Sequence, residues 1–371
     1  MRKLRNKLAY YNEIYFLIYI SVLNAMYSFG EITSLGNYFL YKTGLVVAFA
    51  CLGLKILFTN YTKKELLLGT LFFVPLLVNF IINKDLFLFM FAAGMLAAKN
   101  INLDKIFKQV LWIKIGASII TWIGVLSGVL ANEGAYLPKN GVYVSLKCYG
   151  YLYPNVAYAN LLSIAILLVI VYYDKLKWYY YILLTIFFYG MYALLYCRTG
   201  FIVWILLCIL VFIEKVIKNG WIRTGIYRLM CLSGFVIPLI SIVFPILFRR
   251  DAANWLNKLN HILTGRIEIA SIAIKDMNPA LLGQPETKVF DNVFVHVLYN
   301  NGFIFLLVVT GILCLFYAKA YKTSKNIYII MATVILVYAY MEFSPLTLSW
   351  CPCLLILSKC LWNEDSCKTK R

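Results

Sequence analysis

Apolar residues run along this chain in long, nearly unbroken blocks, divided by short charged or polar stretches. A block that is apolar on every side and about 17–25 residues long has the length and chemistry of a helix crossing a bilayer. The blocks near 9–29, 38–58, 65–82, 85–98, 106–130, 155–173, 178–196, 200–217, 229–248, 292–317, 327–342 and 345–361 predict about twelve such helices, with 85–98 short for a span. Two connections are long, 131–154 and 249–291. Inside the second, Trp255, Leu256, Leu259, Ile262 and Leu263 recur at helical spacing, with Asn257, Lys258 and Asn260 between them. This predicts an amphipathic helix lying at the membrane interface. A second short helix is predicted from Thr264-Gly265-Arg266 to Asp276, stopped by Asn278-Pro279.

Composition narrows the class. The 371 residues are 63% hydrophobic and 14% charged, against roughly 45–50% and 25% in soluble domains. A mean hydropathy of +0.80 leaves more apolar surface than a water-soluble core can hide. A soluble enzyme, a disordered chain, a coiled coil and a disulfide scaffold are excluded, and an all-α polytopic integral membrane protein is expected. No repeat, linker or low-complexity tract interrupts it, so residues 1–371 read as one transmembrane domain. The first block ends Phe29-Gly30-Glu31 without a small-residue cleavage pattern, so no cleavable signal peptide is expected.

The formal charge of +19 does not point to nucleic acid, because of where the cations fall. With the N-terminus inside, 24 of the 35 basic residues lie on the inner side, against 7 of the 16 acidic ones. That asymmetry is the positive-inside signal, and it places both termini in the cytoplasm. The ten cysteines lie mostly in apolar runs, where a thiol behaves as a small hydrophobe. Cys351 and Cys353 have no second pair or nearby histidine to complete a zinc site, and Cys148 and Cys197 are expected to stay unpaired. Asn60-Tyr61-Thr62 spells a glycosylation sequon but falls on the inner side, where it carries no meaning.

The informative chemistry is a set of arginines at the outer boundary. Arg198, in Cys197-Arg198-Thr199-Gly200, sits between two apolar runs, where a charge costs free energy and needs a reason. Thr199 is a candidate cap of the following helix, and free N–H groups there would favour an anion. Thr264-Gly265-Arg266 repeats the design, and Arg249 and Arg250 add two cations. An arginine in a first helical turn opposes the helix dipole unless the two share an anion. The alternative for each is an arginine snorkelling to lipid phosphate or a loop carbonyl.

In order, the chain carries Gly150-Tyr151-Leu152-Tyr153-Pro154-Asn155, Arg198-Thr199-Gly200, Thr264-Gly265-Arg266, Leu282-Gly283, and Asp291-Asn292 followed by Gly302. This order over residues 150–305 resembles the Wzy-type polysaccharide polymerases of the O-antigen polymerase and ligase superfamily. The resemblance implies a GT-C-like glycosyltransferase that needs neither metal nor cofactor. Such an enzyme moves a growing glycan from polyprenyl diphosphate onto an incoming lipid-linked repeat unit. It implies Arg198, Arg266 and Asp291 as catalytic residues. Tyr153, Asn155, Thr199, Arg249, Arg250 and Asn292 become substrate-binding residues. Its expected partners are polyprenyl-diphosphate-linked oligosaccharide and membrane lipids, with a chain-length regulator and a flippase of the same pathway. Bidentate arginine suits a diphosphate leaving group. Related ligases carry a histidine where this chain has Asp291, so Asp291 is the expected base, with Glu286 and His296 as alternatives. Asn155 and Asp291 also read as plain helix caps, and His261 as a solvated side chain. The competing classes are an O-antigen ligase of the same fold and a flippase of lipid-linked oligosaccharide. The absence of similar halves weighs against a transporter.

Overall fold

The computed structural model describes residues 2–30, 38–84, 86–130, 132–139, 142–217, 219–251, 253–263, 265–285, 290–323, 326–360 and 362. Thr264 and Glu286 lie outside the described residues, as does the side chain of Arg250. Among the described residues the chain is helical apart from one hairpin. Seven helices are long and apolar enough to cross a membrane, and three apolar helices are shorter. This is the build of a polytopic membrane protein. The chain forms two compact units, each assembled from separate stretches of sequence, so no linker or change of composition marks them.

The first unit comprises residues 1–60, 96–208 and 348–355. It holds helices α1 (Arg2–Ser28) and α2 (Tyr38–Leu57). Residues Lys63–Asn83 and Leu86–Ala97 form α3 and α4, which lie mainly in the second unit. The first unit continues with α5 (Leu103–Leu126), the antiparallel strands β1 (Glu133–Lys139) and β2 (Val142–Lys147), α6 (Pro154–Tyr172), α7 (Trp178–Leu195) and the start of α8 (Arg198–Val216). The hairpin occupies the predicted outer connection 131–154. Phe16, Tyr19, Ile20 and Leu23 make one buried stripe on α1, and Ile106, Phe107, Val110 and Leu111 make another on α5, both at helical spacing.

A buried polar layer continues these stripes. Ser28 Oγ donates to Asn160 Oδ1 at 2.9 Å, Asn160 Nδ2 donates to Ser118 Oγ at 2.8 Å, and Thr121 Oγ1 donates to the Ser28 carbonyl at 3.2 Å. The C-terminal stretch Leu348–Leu355 belongs to this unit. It was predicted as part of a span at 345–361, but the chain there forms 3₁₀ turns, Ser344–Leu346 and Pro352–Cys360. Pro345 and Pro352 each remove a backbone donor, which disfavours a continuous α-helix. Its carbonyls are bonded by side chains: Asn24 Nδ2 reaches Leu348 O at 3.1 Å, and Trp350 O accepts from Ser163 Oγ and from Lys114 Nζ at 3.3 Å. Irregular backbone buried in a membrane protein requires such partners.

The second unit comprises residues 61–95, 209–347 and 356–371. Beyond α3 and α4 it contains the end of α8, α9 (Gly220–Asp251), α10 (Asn254–Ile262), α11 (Arg266–Ala273) with a 3₁₀ turn to Asp276, α12 (Val293–His296), a π-helical turn (Val297–Asn301), α13 (Phe303–Thr323) and α14 (Asn326–Met341). Thr62 of the sequon caps α3, accepting from Glu65 N at 3.3 Å while Glu65 Oε2 accepts from Thr62 N at 2.7 Å, the two halves of a capping box. Helix α9 starts nine residues earlier than predicted. Glu214 accepts from Arg223 and Tyr227 of that extension and from Asn326 Nδ2 at 2.9 Å, which holds a basic helical turn that hydropathy alone passes over.

The predicted span 292–317 is divided. Gly302 adopts φ +110°, and α13 begins only after it. Asparagines of α3 hold the break: Asn79 Nδ2 donates to Asn301 O and Leu282 O, both at 2.8 Å, and Asn83 Nδ2 donates to Asn300 O at 3.2 Å.

Candidate functional site

The two short helices predicted in the connection 249–291 are α10 and α11. Leu256 and Asn260 form the buried side of α10, while Trp255 and Ile262 are exposed. A left-handed Gly265, φ +81°, turns the chain into α11 and places Arg266 at its first position. The cap of α11 is Asn260, from the preceding helix. Its Oδ1 accepts from Ile267 N and Glu268 N, each at 3.1 Å, and its Nδ2 donates to Glu268 Oε2 at 3.2 Å. Two N–H groups expected to face an anion beside Arg266 are therefore taken by the protein's own carboxamide.

Arg266 is engaged as well. One terminal nitrogen donates to Asp291 and the other to Glu342 Oε1, the latter at 2.6 Å. Side-chain exposure is 15% for Arg266, 36% for Asp291 and 10% for Glu342. The trio is thus one guanidinium between two carboxylates, with Asp291 the member that reaches solvent. Arg266, expected to receive an anion, is held in this structure between two carboxylates.

Asp291 does not cap α12. That task falls to Asn292, whose Oδ1 accepts from Phe294 N at 2.9 Å and Val295 N at 3.2 Å. Asn292, expected as a substrate contact, is buried and caps the helix, and the reading of Asp291 as a cap is set aside. His296 is buried on α12, with its Nδ1 3.1 Å from Asn300 Nδ2 and its ring 4.4 Å from that of Phe343. Arg249, exposed near the end of α9, lies within electrostatic reach of Tyr299. The Leu282-Gly283 piece packs on Gly302: Gln284 N donates to Asn300 O at 3.2 Å and Phe303 N to Ala280 O at 2.9 Å. The second unit therefore holds Gly265-Arg266, Leu282-Gly283, Asp291-Asn292 and Gly302 of the predicted order.

The other pieces belong to the first unit. Helix α6 begins at Pro154 with Tyr153 in the cap position, making no side-chain cap bond. Asn155 lies inside the first turn, so the cap reading fails for it. Tyr153 is exposed, and Tyr151 anchors the stretch through its hydroxyl, which donates to Ser28 O at 2.8 Å. Arg198 opens α8 and is exposed; among the described residues no carboxylate pairs with it. Thr199 is buried in the first turn, its hydroxyl 3.6 Å from the Cys197 thiol, and does not stand before the helix as a cap. Gly200 has a packing reason: a Cβ there would come 2.2 Å from the Tyr158 ring.

Sequence reasoning missed Glu342, Asn260 and the asparagines of α3. Glu342 carried one legible signal, a carboxylate at the edge of an apolar run, which is costly unless partnered. Asn79 and Asn83 of α3 lie in or beside a predicted span, with no local pattern that marks their partners. Comparison of the chain with protein-family models, with curated proteins and with solved structures returned no match in any of the three.

Proposed function

We propose that this chain polymerises lipid-linked oligosaccharide repeat units at the outer face of a bacterial cytoplasmic membrane. In this reading the growing glycan leaves polyprenyl diphosphate and joins a hydroxyl of the incoming unit. The observation that carries it is the ion pair between Arg266 and Asp291, from two motif pieces 25 residues apart in sequence. These are the pieces for which the resemblance to Wzy-type polymerases implies catalytic roles. Asp291, partly solvated, is the proposed base that takes the acceptor proton, and Arg266 holds it in place. Arg198 and Arg249, both exposed, are proposed to meet phosphate oxygens, a role that bidentate guanidinium suits. Arg250, Tyr153, Asn155 and Thr199 remain proposed substrate contacts on the resemblance alone.

The remaining features of the reading are a GT-C-like arrangement of about twelve spans and a large outer loop over 249–291. Both termini lie in the cytoplasm, and a chain-length regulator and a flippase act as pathway partners. The test is a deletion of the gene, followed by analysis of the glycan. Glycans one repeat long are expected, with long polymer restored by the wild-type chain and not by Asp291→Asn. Polymer of full length missing only from its final carrier would make the chain a ligase, and lipid-linked units held inside the cell would make it a flippase.

A further inference from the structure

We infer that α10 is a membrane-seated helix, its Trp255 and Ile262 side lying in lipid at the boundary where α9 ends. The inference does not depend on the polymerase reading. Trp255 and Ile262 are two helical turns apart, so their side chains share one side. With Leu256 and Leu259 they make up the apolar arc of α10. The protein buries Leu256, half-buries Leu259 and leaves Trp255 and Ile262 exposed. Asn254, Asn257, Lys258 and His261 are exposed on the remaining side. The helix thus has one side packed on protein, one apolar and uncovered, and one polar. A helix lying where protein, lipid and water meet requires those three.

The place of α10 on α9 identifies lipid as the occupant of the uncovered side. The rings of Trp255 and Phe244 meet with centroids 5.6 Å apart, inclined at 75°. Phe244 stands five residues before Arg249, where the membrane-crossing stretch of α9 ends, so it lies about 7.5 Å inside that end. Helix α10 therefore folds back along α9, and Trp255 rests against its apolar part. On α9, Leu229, Leu232, Val236, Leu239, Val243 and Ile246 are exposed at helical spacing, the pattern of a side turned to lipid. Phe244 borders this stripe, and Trp255 and Ile262 extend it. Tryptophan is enriched at such boundaries, and Lys258 on the polar side can reach headgroup phosphate. A second copy of the chain is a poorer fit. Two large side chains supply at most about 500 Å², against about 800 Å² per partner in a stable interface. Asn260 of α10 caps α11, which Arg266 begins, so seating α10 ties that arginine to the membrane boundary.

The experiment adds one tryptophan at a time to the full chain, Ile262→Trp or Asn257→Trp, in vesicles of phosphatidylcholine with brominated acyl chains. Emission of the new indole is the difference from the wild-type chain. Both positions are exposed, so neither change crowds the fold. Trp255 is read from the emission lost in Trp255→Phe, which keeps a ring against Phe244. Brominated lipid should quench most of the emission at positions 255 and 262 and little of that at 257, and iodide in the water should do the reverse. Iodide quenching at 262 equal to that at 257 puts this side in water and overturns the inference. Shielding of 262 from both quenchers means that protein covers it, a second copy included, and overturns it as well. If Trp255→Phe does not fold, the contrast between 262 and 257 decides alone. Glycan formation plays no part in the readout, so a failed polymerase reading leaves the result intact.

Discussion

Gly302 lies directly against Gly283: a Cβ on Gly302 would come 2.7 Å from the Gly283 nitrogen and 2.5 Å from the Leu281 carbonyl oxygen. Two backbones meet there with no room for a side chain, and Gly302 holds φ +110°. That conformation costs another residue about 1–3 kcal/mol before any collision is counted. Gly302→Ala is expected to disturb the 280–284 stretch and the Asn300 and Asn301 carbonyls held by α3. Thermal unfolding in detergent should fall markedly. Gly311→Ala on the same α13, where a Cβ meets nothing within 4 Å, should leave it unchanged.

Asn260 serves α11 in the manner of a cap borrowed from another helix. Asn260→Ala should cost about 1 kcal/mol or somewhat more, as loss of a cap usually does. Because Arg266 begins that helix, the same change should loosen the trio, and glycan chains should shorten. Wild-type chain length at reduced thermal stability would show that Arg266 keeps its place without the cap.

Lys114 and Ser163 share the Trp350 carbonyl. Either substitution alone leaves one of these donors, whereas Lys114→Ala with Ser163→Ala removes both from a buried carbonyl, at about 1–3 kcal/mol. The double variant should lose more stability than the two single losses added. Alkylation measures it independently: Cys351 and Cys353 are fully buried, and their labelling by a maleimide should rise chiefly in the double variant.

Arg198 separates a phosphate-binding role from membrane anchoring. Exposed and without a carboxylate partner among the described residues, it should be replaceable without loss of fold. Arg198→Ala should insert and accumulate normally yet give no long polymer. Arg198→Lys should fail as well, since an ammonium cannot make a two-pronged contact. Full chain length with Arg198→Lys would reduce the residue to a snorkelling cation.

Much of this molecule is written locally. Transfer of an apolar helix out of water depends on the residues within that helix, so runs such as 38–58, 155–173 and 178–196 lie within one residue of α2, α6 and α7. The amphipathic α10 was legible for the same reason, since its buried and exposed sides alternate within nine residues. The polar chemistry has another origin. Arg266 and Glu342 are 76 residues apart, Asn79 and Asn301 222 apart, and Lys114 and Trp350 236 apart. No periodicity links such pairs, and each residue alone reads only as a polar group in costly surroundings. Which partner removes that cost was decided by the tertiary structure, because only the packed helices bring donor and acceptor within bonding distance while excluding water.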